Sequence, residues 1–155
     1  MAISKIQAES LGISGSVIQV VQGSTGTSVS SSSATFIDTT LTATITPKFS
    51  TSKILVLINH SENAKTSANA GNDMALQLVR NGTALVTFNW DLGYTGTAIA
   101  MYFSSSYSYL DSPATTSAVT YKTQFCSRNS GAANVQVQTN GGNAPSTITL
   151  LEIAA

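Results

Sequence analysis

Acid–base or metal chemistry in this sequence would have to pass through a single histidine. His60 sits in ILVLINHSEN, at the end of an apolar run, and Glu62 follows two residues later, so an extended backbone would place both on one face. A metal centre needs further His, Cys or carboxylate ligands, and Asp73 is the only acidic residue in the dozen positions after Glu62. A Ser/His/Asp triad would also have to use His60, and no Gly-x-Ser-x-Gly elbow occurs among the many serines. The pattern fits a strand-end histidine at a subunit contact better than a ligand or a base. Cys126, in TQFCSR, continues the alternation of a strand end with no histidine beside it in sequence. Reactive thiols need an electropositive, partly exposed setting, so Cys126 reads as a buried, inert thiol.

The remaining candidates are weaker. Asp91 and Asp111 bracket an aromatic segment, and Asn140, Gly141, Gly142 and Asn143 form a polar loop. Such side chains can offer oxygen to calcium, but no spaced acidic series accompanies them, and turn chemistry accounts for them. The paired glycines lack the Lys-Ser/Thr and the helix of a phosphate cradle. Seven scattered acidic residues neither reveal nor exclude a carboxylate pair of the kind that cleaves glycosides. The expectation is a protein with no catalytic residue, no metal and no cofactor.

Aromatic residues carry a stronger signal. Trp90, Tyr94, Tyr102, Phe103, Tyr107 and Tyr109 fall within WDLGYTGTAIAMYFSSSYSY. Tyr and Trp bury an apolar body while keeping a polar tip wet, which suits interfaces and sugar-stacking sites. On a strand, Tyr107 and Tyr109 share one face and Ser104, Ser106 and Ser108 the other. We expect Tyr102, Phe103, Tyr107 and Tyr109 to fill the core and a subunit interface, with Trp90 and Tyr94 as candidate receptor or glycan contacts.

The elements that must position these residues are strands. Val17 to Val21, Thr35 to Asp38, Leu41 to Thr46, Ile54 to Ile58, Met74 to Val79, Ala84 to Phe88, Ile99 to Tyr109, Val119 to Phe125, Val135 to Thr139 and Thr147 to Ile153 follow one another with turn signals between them. Leu41, Ala43 and Ile45 alternate with threonines. Asn81-Gly82 tolerates positive φ at both central positions of a turn, which marks 74–88 as a hairpin. GSTGTSVSSSS, after the first strand, is too polar to make core. Ile99 to Tyr109 reads as one long strand or as two joined at the serines. Nine or ten such strands predict a single all-β antiparallel sandwich over 17–155, preceded by a short arm at 1–16 in which Ile3, Ile6 and Leu11 are apolar.

Composition narrows the function classes. Charged residues make up 9 % of the chain, seven basic against seven acidic, where about 25 % is usual. Phosphate binding needs clustered Lys and Arg, so neither nucleic acid nor an anionic membrane is an expected partner. A neutral, charge-poor surface lacks the self-repulsion that keeps copies apart, which points to life inside an assembly. No apolar run reaches the length of a membrane helix, and MAISKIQAESLGI lacks the apolar core of a signal peptide, so folding in a cytoplasm is expected. One cysteine excludes an intramolecular disulfide.

Two sets of segments carry a resemblance. MALQLVRNGTALVTF at 74–88 resembles the central hairpin of complement-type and tumour-necrosis-factor-like jelly rolls. SKIQAESLGISG at 4–15, LTATITPKFSTSKILVLI at 41–58 and the stretch from LDSPATTSAVTYKTQF to STITLLEIAA resemble small jelly-roll virion surface proteins of tailed, marine-type bacteriophages. The resemblance implies a jelly-roll homotrimer on a virion surface, either free-standing or at the tip of a tail fibre or spike. The short arm favours a compact head-decoration (cement) protein held to the major capsid protein through Ile3, Ile6 and Leu11. The alternative is a receptor-binding fibre tip, an adhesin whose partner is a host surface glycan.

Overall fold

The computed structural model describes residues 14–66, 73–128 and 134–155. Ten strands occur among them: β1 (Val17–Thr25), β2 (Val29–Ser31), β3 (Ile37–Ile45), β4 (Lys53–Lys65), β5 (Met74–Arg80), β6 (Thr83–Leu92), β7 (Met101–Asp111), β8 (Val119–Ser127), β9 (Val135–Val137) and β10 (Ser146–Ile153). They form two antiparallel sheets. Sheet A has the order β1-β10-β4-β9-β2, with β7 on the other side of β4, and sheet B has the order β3-β8-β5-β6. Both β10 and β9 pair with β4, at Lys53–Asn59 and at Ala64–Lys65. β1 and β2 pair with β10 and β9 in turn. β1/β2 and β9/β10 are thus two interrupted paths lying side by side, and each sheet is four paths wide. This is a jelly roll, the all-β sandwich expected from the strand pattern.

Alternation builds the core. Leu41, Ala43 and Ile45 of β3 point inward against Ile54, Val56 and Ile58 of β4, with Val119, Tyr121, Ile148 and Leu150 completing the cluster. The apolar run of β4 is therefore a sandwich-core strand, with Leu55 and Leu57 on its outer face. The hairpin turn is as expected: Asn81 and Gly82 have φ of 47° and 87°, the left-handed pair that matches strand twist. Asn81 also secures β8, its Oδ1 accepting the Thr120 N–H at 2.9 Å.

Three sequence expectations change. The two segments at 35–38 and 41–46 are one strand, β3, with a register shift between Asp38 and Thr42 and Thr40 at φ 69°. The polar stretch after the first strand is not bare loop. β1 runs to Thr25, and β2 pairs with β9 because Val29 packs onto a second core cluster of Met74, Leu76, Phe125, Val135 and Val137. His60 is not at a strand end on a surface; β4 continues to Lys65, and His60 is 0 % exposed.

Around His60 lies a polar belt between the two apolar clusters. Its Nε2 meets Thr123 Oγ1 at 2.9 Å, and Thr123 Oγ1 meets Thr39 Oγ1 at 2.6 Å. The Leu41 N–H donates to Thr39 Oγ1. On the other side of the ring, the Gln138 carboxamide in its satisfying orientation accepts from His60 Nδ1 at 3.3 Å and from Ser146 Oγ at 3.1 Å. It donates to the Thr27 and Thr39 carbonyls. A chain of hydrogen bonds thus links Leu41 N–H, Thr39, Thr123, the imidazole and Gln138, and the Thr39 hydroxyl also donates to the Thr123 carbonyl at 3.1 Å. Burial pushes the His60 pKa down to about 4.

Other contacts join the sheets at the far level and along the sides. Arg80 donates to both oxygens of Asp111 at 2.9 and 2.7 Å, and the buried Tyr121 hydroxyl donates to Asp111 Oδ2 at 2.6 Å. Burial, then the Asp111 contact, raises the Tyr121 pKa. The buried Glu152 accepts the Lys48 N–H at 2.6 Å. Phe88 and Tyr107 stack at 5.1 Å, closing the β6/β7 side. On the β1/β3 side, a Cβ on Gly23 would come within 2.0 Å of the Thr42 carbonyl oxygen.

Two predictions follow from this packing. Since His60 is held neutral down to about pH 4 while the unfolded chain protonates near 6.5, stability is lost as pH falls through that window. The loss is about 3 kcal/mol by pH 4. Urea melts from pH 7.5 to 4 should display it, and His60→Gln, though less stable at neutral pH, should flatten the slope. Gly23→Ala, which must push two backbones apart, should cost about 1–3 kcal/mol in the same melts.

Candidate functional site

The outer face of sheet A carries the exposed features that no internal contact uses. At the end near Lys53, the cross-strand row Val20, Leu151, Leu55, Leu110 crosses all four paths of the sheet. Val20 is 59 % exposed and Leu110 51 %, with Leu57 in the next outward row at 40 %. Alternation explains the row, since inward Ile54, Val56 and Leu150 fix Leu55 and Leu151 outward. Further along, the rows turn polar: Ser24, Thr147, Asn59 and Ser106 lie across the sheet, and Ser106 donates to Asn59 at 3.1 Å.

At the opposite end the face hollows into an open groove of about 520 Å³, lined by Glu62, Ala64, Tyr102, Gln136, Thr139 and Asn140 among others. Its floor is the row Gln136, Ala64, Tyr102. Ala64 leaves space, and the Tyr102 ring stands beside it, 68 % exposed. Glu62 occupies a bulge at φ 51°, where β4 slips register against β7 between His60 and Asn63. The bulge is locked from outside: Glu62 O accepts the Thr139 N–H at 2.8 Å and Thr139 Oγ1 at 2.9 Å. Gln138, next to Thr139, is itself left-handed at φ 52°. The Glu62 carboxylate makes no hydrogen bond or ion pair among the described residues. Gln136 Nε2 donates to Ser28 Oγ at 2.5 Å, which steadies that wall. Lys65, a basic residue of the same wall, donates to Thr95 Oγ1 and to the Thr97 carbonyl.

The residues singled out from the sequence are dispersed by the fold. Phe103, Tyr107 and Tyr109 turn toward the interior, where Phe103 packs on the second cluster and Tyr109 on the first. Tyr107 and Tyr109 do share a face, opposite Ser106 and Ser108. Of the four expected interface aromatics, Tyr102 is the one that projects outward. Trp90 is 52 % exposed, with the Arg128 guanidinium 5.1 Å over its ring, and Arg128 also pairs with Asp91. Tyr94 is exposed in the turn after β6, and neither it nor Trp90 lines the groove. Cys126 is buried in β8, and its burial raises the thiol pKa. Ile3, Ile6 and Leu11 lie outside the described residues. Asn140 was visible as part of a polar loop, whereas Glu62, Ala64, Gln136 and Thr139 were not linked to it. Their meeting depends on a bulge and on pairings about 70 residues apart in sequence.

No family model matches the chain, and no curated protein matches it. Among solved structures it is similar to the insecticidal delta-endotoxin Cry8Ea1 from Bacillus thuringiensis, at 15 % identity and a TM-score of 0.44 over 81 % of this chain and 19 % of that one. It is also similar to dimeric latent PorU from Porphyromonas gingivalis, at 7 % identity and a TM-score of 0.38 over 92 % of this chain and 14 % of that one. The chain spans less than a fifth of either protein's length, and likenesses this distant bear on neither activity nor partner.

The strained bulge gives a direct test. A left-handed non-glycine residue costs about 1–2 kcal/mol, part of which glycine's unfolded-state entropy would cancel. Glu62→Gly should therefore raise the unfolding free energy by about 0.5 kcal/mol in urea melts.

Proposed function

We propose that the chain is a non-enzymatic structural protein of a tailed-phage particle, a homotrimeric jelly roll that decorates the surface of the head. The observation that carries the assembly part of this reading is the apolar row Val20, Leu151, Leu55, Leu110 across the outer face of sheet A. A continuous apolar row of this kind, exposed at Val20 and Leu110 and half-buried at Leu55 and Leu151, leaves apolar surface in water that contact with another subunit would remove. The chain's formal net charge of zero offers no repulsion against such contact. Threefold order and a place on the virion surface come from the resemblance of segments 4–15, 41–58 and 110–155 to phage virion proteins, and the head station with its capsid-protein partner from the expectation placed on Ile3, Ile6 and Leu11. His60 is enclosed and hydrogen-bonded on both ring nitrogens, so its part in the reading is structural.

Sedimentation equilibrium should give three times the 16.0 kDa of one chain. Leu110→Asp, at an exposed position, should give a folded monomer with unchanged circular dichroism. Cryo-electron microscopy of purified particles should place trimers on the head lattice; density confined to the tail tip would replace decoration with adhesion.

A further inference from the structure

We infer that the groove between Tyr102, Glu62 and Asn140 is a binding site for a neutral saccharide, a role that does not depend on the assembly reading. Four features of the groove combine to this end. The first is the aromatic wall. Tyr102 is 68 % exposed on a paired strand beside Ala64, whose small side chain leaves the ring face open. The apolar C–H face of a pyranose can cover such a ring, removing apolar surface on both partners from water.

The second feature is the set of polar groups around the ring. The Glu62 carboxylate, free of partners among the described residues, accepts two hydroxyl donors, while the Asn140 and Gln136 carboxamides both donate and accept. A sugar hydroxyl is also both donor and acceptor, so the chemistries match. The third is rigidity. Glu62 is held in its left-handed conformation by two hydrogen bonds from Thr139, and Gln136 is tied to Ser28, so little ordering is left for binding to impose. Backbone strain of this kind persists where surrounding structure over-determines it, and it clusters at ligand sites.

The fourth feature is charge. The Glu62 carboxylate at the groove disfavours a phosphate. The one basic residue of the lining, Lys65, is 1 % exposed with its ammonium engaged by Thr95 and Thr97, so no cation is left to hold an anion. The neutral amides and hydroxyls of the remaining polar lining match a neutral ligand. Its volume, about 520 Å³, falls in the range of small-molecule sites.

The test is a titration of ¹⁵N-labelled full chain with glucose, galactose, mannose and N-acetylglucosamine, and with their disaccharides, to millimolar concentration. At least one sugar should shift the amides of 62–66, 101–103 and 136–140. Tyr102→Ala should weaken that sugar's binding by about tenfold or more, Tyr102→Phe should retain it, and Glu62→Gln should weaken it without altering the rest of the spectrum. The proposal is overturned if no sugar shifts these amides, or if Tyr102→Ala binds as the native chain does. It is equally overturned if shifts centre on Trp90 and Tyr94, or if a lysine-rich peptide occupies the groove in preference to every sugar.

Discussion

A neutral imidazole sealed between two sheets has one donor and one acceptor, and both must be met from inside the protein. That requirement at His60 organises much of the jelly roll. Its partners come from both sheets: Thr123 on β8, and Gln138 where the β9/β10 path breaks. Thr27 and Ser146, which complete the Gln138 shell, lie at the break between β1 and β2 and at the start of β10. Thr39, which continues the chain beyond Thr123, precedes the left-handed Thr40 of β3. The irregularities of four strand paths therefore gather at one level, where regular ladders give way so that main-chain carbonyls and side chains can reach the belt. The apolar core divides at the same level into two clusters.

The irregularity of β4 has a second effect, on the outside of the sheet. After His60 the strand needs an extra residue to resume pairing with β7, and the bulge at Glu62 supplies it. The residue released from the ladder is the one whose carboxylate reaches the groove. The interrupted β9/β10 path brings Thr139 and Asn140 to the same edge. Interior polarity and exterior groove are thus two sides of one departure from regular sheet geometry.

This also explains what could be read in the sequence. Alternation at Leu41, Ala43 and Ile45, the apolar run at 54–58 and Asn81-Gly82 are local signals, and each led to the observed element. The sandwich itself was legible from them. β2 was not, because three residues of mixed polarity become a strand only when β9, about a hundred positions away, offers a ladder. The burial of His60 was missed for a related reason: its polar surroundings are distributed over 27–146, and no window along the chain contains them. Tyr102 turns outward and Tyr107 and Tyr109 inward by plain alternation along β7, which the sequence carries. What it does not carry is the slip in β4 between His60 and Asn63, which brings Ala64 out beside Tyr102. A single inserted residue reverses which face a side chain occupies.

Both ends of the described chain leave from one pole of the sandwich. Val17 pairs with Ile153, and the Gly15 N–H donates to the Ala154 carbonyl at 2.7 Å, next to the start of β4. The groove lies beside the other end of the thirteen-residue β4, a span of roughly 40 Å at strand rise. The molecule therefore has a vectorial layout. Both ends of the described residues thus sit at the pole beside the apolar row, and the Tyr102 pole points away from them, like the tip of a post whose base is set.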